Sequence, residues 1–335
     1  MSYKFSVVNQ NIKLRTFKER LDEYKENQHL LKQMKSHNCL VSGIKRADGN
    51  YEYILEEGKL VLKNRIGSKS KYGVIFLTSN KFNKSIFATK LTVMDDENYR
   101  EIVISKQLSK ISSLNLNPHF LFVYKSFYCS NNINQNLPKL IKNENYYISV
   151  NELINGNLKQ FFDQKLNSSF YLNALEQILL SILSFHYFTK GIYHADCHYK
   201  NFLYVKIKAG GYFHYKIFGV DYFVKNMGYL WIIWDFGLVR EEIYYKQQRL
   251  KDYFRIANFF NLTSQLSKSG NYNNLLKISD VILNYEYNFQ LLFGSSDKKL
   301  FEDVFINELN LFKSKNQLPR TFKKINNKPY IINDF

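Results

Sequence analysis

Cysteine is nearly absent from this 335-residue chain, which has only Cys39, Cys129 and Cys197. The three are odd in number, widely spaced and without a C-x-x-C pair, which predicts no disulfide framework and a reducing compartment. Proline is scarce too, at four residues, whereas tyrosine and phenylalanine reach 26 and 28. With the richness in Asn, Lys and Ile, this is the bias that AT-rich codons impose, so part of the composition records the genome rather than the function. The first ten residues lack the apolar core of a secretory signal. No run reaches the length of a membrane span; residues 178–188 are apolar but too short, and they include His186. Together these absences predict a soluble, intracellular protein with no membrane span.

Charge is present in excess of one sign, with a formal net charge of +18. It could mark a surface for an acidic substrate, a nucleic acid or a membrane, or a lysine-coding bias spread over a solvated surface. Lys32, Lys35, Lys81, Lys84 and Lys106 are scattered rather than blocked, which favours the second reading. An acidic protein substrate stays open, and no specific nucleic-acid partner is expected. The chain is long enough to bury a large core and to house a two-lobed enzyme.

The pattern changes along the chain. Residues 11–35 read as a charged amphipathic helix, with Phe17, Leu21, Tyr24, Leu31 and Met34 near helical spacing, expected to pack on the domain that follows, with a partner or membrane contact as the alternative. From residue 51 short β-type runs take over, at 51–55, 59–63, 73–78 and 85–92, separated by turns. A helix fits 95–111, strands fit 120–127 and 146–153, and an Asn-rich surface loop lies between those strands. A buried helix carrying Leu175, Ile178, Leu179, Ile182, Leu183 and Phe185 comes next. Strands at 203–207 and 229–234 follow it, and helical patterning runs from Asp252 to the end. Strands first and helices later argue for two lobes of one enzyme.

Two motifs sit at the junction. His194-Ala195-Asp196-Cys197-His198-Tyr199-Lys200-Asn201 has the form H-x-D-x-x-x-x-N, and Trp234-Asp235-Phe236-Gly237 carries D-F-G. Phosphoryl transfer from ATP needs a carboxylate near the acceptor hydroxyl and further groups that hold Mg²⁺ against the phosphates. Asp196 can serve the hydroxyl, while Asn201 and Asp235 can hold the metal. Either motif alone is weak; in order, each behind an apolar segment, they are far more specific.

From about residue 60 to about residue 266 the chain resembles the eukaryotic-type protein kinase fold. The resemblance implies an α+β, two-lobed protein-kinase-like architecture that binds ATP and Mg²⁺. Residues 1–50 would be an N-terminal helical extension and 51–150 an N-lobe of antiparallel β-sheet plus helix. Residues 151–335 would be a mainly helical C-lobe with an insert at about 204–230. Residues 66–76 resemble the glycine-rich loop, with Ile66, Gly67, Gly73 and Val74 as cofactor contacts and Tyr72 at the tip. The middle glycine is missing and the loop is about one residue longer than usual.

Ala88 and Lys90 match the A-x-K of the third strand, where the lysine serves the phosphates and pairs with a helix glutamate. Glu101 is preferred to Glu97 because Glu101, Ile104 and Leu108 share a face. Adenine would bond to backbone groups of Glu152 and Ile154, with Asn151 at the back pocket. His194 matches a structural residue that stacks on Phe236, and Asp252 the aspartate that braces the catalytic-loop backbone. Asp196 is the expected base or hydroxyl-orienting group.

Four features depart from the pattern. Position 195 is Ala where an Arg would receive an activation-loop phosphate, so that form of control is not expected. His198 replaces the usual Lys and would be a weaker, pH-dependent partner for the transferring phosphate. D-x-H-x-x-N is similar to antibiotic and choline phosphotransferases and to UbiB-type kinases, although the K-x-G-Q signature of the last is missing. No A-P-E motif lies between Gly237 and Asp252, while the interval from Asn201 to Asp235 is expanded. The insert, W-D-F-G and the short segment together resemble divergent serine/threonine kinases of large DNA viruses, which would place the chain in host cytoplasm or a virion. The expected activity is transfer to a protein Ser/Thr hydroxyl. A small-molecule kinase of the choline or aminoglycoside type and a pseudokinase scaffold are the alternatives.

Overall fold

The β-branched and aromatic runs in the first part of the chain pair into one antiparallel sheet of seven strands. They are β1 (Leu40–Lys45), β2 (Tyr51–Leu55), β3 (Leu60–Ile66), β4 (Val74–Asn80), β5 (Ile86–Val93), β6 (Val123–Cys129) and β7 (Tyr146–Glu152), in the order β1-β2-β3-β4-β5-β7-β6. The computed structural model describes residues 14–45, 51–55, 57–67, 73–81, 85–130, 144–241, 248–266, 273–289 and 296–333. The protein is mixed α+β and divides into two compact units, residues 1–113 with 121–154, and 114–120 with 155–335.

Alternation places Val74, Phe76, Thr78 and Asn80 of β4 on its buried face, the period-2 signature of a half-buried strand. Gly58, at φ 66°, supplies the left-handed residue of the turn between β2 and β3. Helix α1 (Phe17–Lys32) begins later than residue 11 because Thr16 caps it. The Glu19 amide donates to Thr16 Oγ1 at 3.1 Å and the Thr16 amide donates to Glu19 Oε2 at 2.7 Å. Its buried face, Phe17, Arg20, Tyr24, Asn27 and Leu31, packs on β6, while α2 (Asp96–Ser113) packs on β6 and on α1. The first fifty residues are therefore not a purely helical extension: β1 is a strand of the sheet and α1 joins its core.

The expectation of no disulfide is overturned. The chain enters β1 alongside the edge strand β6, with the Asn38 amide donating to the Tyr128 carbonyl at 3.0 Å and the Tyr128 amide to Ser36 at 3.0 Å. That pairing brings Cys39 and Cys129, 90 residues apart, to a Cα–Cα distance of 4.9 Å, and they are joined as a disulfide. Spacing in sequence carries no trace of an edge-strand pairing of this kind, which is why cysteine counting missed it.

The second unit is built on α4 (Ser168–Thr189), capped by Asn167 and apolar on nearly every side: Leu175, Ile178, Leu179, Ile182 and Phe185 are all buried. Before α4 come β8 (Gly156–Asn157) and α3 (Leu158–Phe162); after it come β9 (Ile192–Tyr193), β10 (Phe202–Lys206), β11 (Tyr212–Ile217), β12 (Val220–Lys225), β13 (Tyr229–Ile233) and β14 (Arg240–Glu241). Helices α5 (Leu250–Leu266) and α6 (Asn273–Phe289) and the three-residue α7 (Asp297–Lys299) follow, then a wide π-type helix, Leu300–Glu308. This unit is less helical than expected. It holds three small sheets, β13-β10-β8, β12-β11-β15 and β14-β9. Helical patterning also stops before the C-terminus, where β15 (Tyr330–Ile332) runs parallel to β11, burying Tyr330 and Ile332 and exposing Ile331. The insert is the β11–β12 hairpin, and the C-terminal strand completes its sheet.

Candidate active site

Two short strand pairs bracket the segments that carry the motifs. β9 pairs with β14, Tyr193 opposite Arg240, and β10 pairs with β13, Phe202 opposite Ile233. The loop 194–201 runs between β9 and β10, and the loop 234–239 runs between β13 and β14. Their ends therefore meet although 34 residues separate Asn201 from Asp235 in sequence. The Trp234 amide donates to the Asn201 carbonyl at 2.9 Å, and His194 Nε2 donates to the Trp234 carbonyl at 2.8 Å. Trp234 is thus tied to both ends of the first loop, and Asp235 is the next residue.

Within the loop, Asn201 Nδ2 donates to the Asp196 carbonyl at 3.0 Å and to its carboxylate Oδ2 at 3.3 Å. His198 Nε2 lies 3.7 Å from the same Oδ2 and is exposed, while Asp196 is half-buried. With Nδ2 committed to Asp196, the other side-chain group of Asn201 is its carbonyl oxygen, a hard acceptor of the kind Mg²⁺ takes. Ala195 (φ 61°) and Asp235 (φ 69°) hold left-handed backbone, which aspartate tolerates and alanine disfavours. Such a conformation persists only where surrounding bonds over-determine it, and at Ala195 Asp252 of α5 provides them. Its Oδ2 accepts the His194 amide at 2.7 Å and its Oδ1 the Ala195 amide at 3.1 Å. Arg255, one turn on, donates to the Ala195 carbonyl.

The expected contact of His194 with Phe236 is present, tilted rather than stacked, with ring centroids 5.5 Å apart. Phe236 stacks instead on Phe185, at 5.2 Å and 9°. Cys197, inside the loop, is fully buried, and burial and then the charge of Asp252 push its thiol well above the ordinary range. It is not poised as a nucleophile.

The other residues named from the sequence belong to the first compact unit and not to this one. Lys90 of β5 donates to Glu101 Oε1 of α2 at 2.5 Å, and Glu101 is buried, so Glu101 rather than the exposed Glu97 is the partner. Gly73 lies beside this lysine: a Cβ there would come within 2.9 Å of Thr92 Cγ2 and 3.1 Å of both Lys90 Cε and the Leu91 carbonyl. Glycine is thus required by the approach of β5, a reason the loop motif did not supply. Gly67 has φ 80°, as a turn glycine does, and residues 68–72, including Tyr72, lie outside the described residues. Ile66 pairs with Ile75, Val74 with Leu91, and Ala88 lies between Leu77 and Asn151.

At the end of β7 the Glu152 amide donates to the Phe122 carbonyl at 2.8 Å, so it is committed to the sheet and not available to an adenine. The Glu152 side chain is buried against Arg20 of α1, which sequence reasoning missed. The signal was present as an arginine in the Phe17–Tyr24 stripe. Ile154 follows β7, half-buried and outside regular structure.

Among the described residues no group of three His, Cys, Asp or Glu comes together that could hold a metal. The candidate set is one carboxylate and one amide oxygen, which fits Mg²⁺ only when phosphate oxygens and water complete its shell. The Lys90–Glu101 pair likewise suits a polyphosphate. No model of a known protein family matches the chain, and no curated protein matches it.

Proposed function

We propose that the chain is an ATP- and Mg²⁺-dependent phosphotransferase, a divergent kinase that acts on a protein Ser/Thr hydroxyl. The observation that carries this reading is the bond from Asn201 to Asp196, with Trp234 tied to Asn201 immediately before Asp235. These bonds bring the loop of Asp196 and Asn201 next to the segment that carries Asp235, and phosphoryl transfer requires a carboxylate for a hydroxyl and oxygen donors for a cation, which these residues could supply. When bound, ATP supplies the transferable phosphoryl group and Mg²⁺ offsets charge on its phosphates. Asp196 would orient the acceptor hydroxyl and take its proton, and Asn201 and Asp235 would hold the metal. Lys90, paired with Glu101, would supply a cation for the nucleotide's phosphates.

A second reading, transfer to a small alcohol, draws support from the short run between the 3₁₀ turn at Phe236–Leu238 and the start of α5 at Leu250. That run is too short for the usual peptide platform. Labelled ATP and Mg²⁺ offered with protein and small-alcohol panels separate the two. Label on protein, lost in Asp196→Asn, supports the kinase reading; label on small alcohols alone supports the second. Nucleotide binding without transfer, unchanged by Asp196→Asn, would mark a scaffold instead.

A further inference from the structure

His186 of α4 lies behind the loop 194–201, fully buried between two carboxylates. Its Nε2 is 3.0 Å from Asp252 Oδ2 and its Nδ1 is 3.0 Å from Asp297 Oδ1. An ionised carboxylate only accepts hydrogen bonds, and a neutral imidazole carries a single N–H. Both contacts can be hydrogen bonds only when the ring holds two protons or one of the acids holds one. The other groups around the cluster decide between these. Asp252 already accepts the His194 and Ala195 amides. Asp297 accepts the Tyr253 hydroxyl at 2.9 Å and lies 3.1 Å from Arg249 Nη1.

Asp252 is thus met by two backbone amides and Asp297 by a hydroxyl and a guanidinium, and the proton shared by the cluster stays on the ring. Cys197, the remaining titratable group against Asp252, stays a thiol. An imidazolium makes the buried set of two carboxylates, one guanidinium and one ring neutral, whereas a neutral ring would leave a buried negative charge uncompensated.

We propose that Asp297 is a positioning residue for the catalytic loop: it holds His186 as an imidazolium, which fixes the Asp252 carboxylate that carries the His194 and Ala195 amides. This rests on the phosphotransfer reading and adds to it a residue outside every motif, on the short helix α7. Burial alone would lower the pKa of the ring; Asp297 and Asp252 outweigh it and raise it to about 9.

Imidazole nitrogen NMR of the full chain tests the charge without a variant. Two protonated nitrogens on His186 at about pH 7.5 are expected, and a neutral ring there overturns the proposal. In Asp297→Asn the ring should titrate at lower pH. Its kcat should fall about 10-fold or more with the KM for ATP unchanged, and the alkaline limb of the pH profile should move to lower pH. Asp297→Glu, which keeps the charge, should restore the limb; an unmoved kcat and limb in Asp297→Asn, or an Asp297→Glu profile matching that of Asp297→Asn, overturns the proposal. If Asp297→Asn does not fold, the wild-type ring shifts and the Asp297→Glu profile decide. Absence of transfer by the wild-type chain would overturn the phosphotransfer reading itself, and the nitrogen shifts would still show whether Asp297 holds the ring charged.

Discussion

Arg20 and Glu152, 132 residues apart, form a bidentate ion pair in the core of the first unit, with Arg20 Nε 2.8 Å from Oε1 and Nη2 2.7 Å from Oε2. The guanidinium also lies over the Phe122 ring, 4.2 Å from its centroid. The pair ties α1 to the last residue of β7. Both side chains are almost wholly buried, so removing Arg20 leaves the buried Glu152 carboxylate with only the longer contact from Arg15, 3.4 Å from Oε1. Arg20→Ala should cost about 3–5 kcal/mol, whereas replacing both residues by apolar ones of similar volume should cost much less. Urea denaturation of the single and double variants checks this, and equal losses in the two would show that the charge pairing is not the cause.

Gly73→Ala should lower stability by about 1–3 kcal/mol, because the added methyl meets the Thr92 methyl, the Lys90 stem and a backbone carbonyl, which must shift to admit it. On the proposed phosphotransferase function, the displaced Lys90 should also weaken ATP binding. Calorimetric titration with ATP, alongside thermal melts, separates the two effects. An unchanged melting temperature would contradict the close packing of β4 on β5.

The His186 cluster gives stability a pH dependence with a defined sign. The folded pKa of the ring is raised to about 9, above an unfolded value of about 6.5. Its contribution is therefore complete below about pH 6.5 and is lost as pH climbs through about 9. On the acid side burial opposes ionisation of Asp297, but His186 and Arg249 outweigh it and hold its pKa below the usual value, so its contribution is lost as pH falls. Denaturation midpoints of the wild type minus those of His186→Gln should shrink steadily across the alkaline window. A flat difference would show that the ring is not charged in the fold.

Thiol counting tests the cysteine pairing. The native chain should react slowly with a thiol reagent, because Cys39 and Cys129 are joined and Cys197 is buried. Unfolded without reductant, one thiol per chain should titrate, and with reductant all three should. Three thiols without reductant would exclude the disulfide.

The sequence by itself determined the parts whose signal is local. The strands between residues 51 and 93 follow from their β-type runs and turns, α4 from its apolar helical run, and the proposed site residues from two motifs of fixed spacing. The choice of Glu101 over Glu97 followed from helical periodicity. What only the tertiary structure decided are contacts between residues far apart in the chain: Cys39 with Cys129, Arg20 with Glu152, His186 with Asp297, and β15 with β11. Each depends on how elements pair and pack, and no periodicity or spacing records it. The motif residues lie on loops whose ends are fixed by strand pairs, so short-range pattern sufficed to name them. The groups that hold them in place come from other elements, and only packing brings those together.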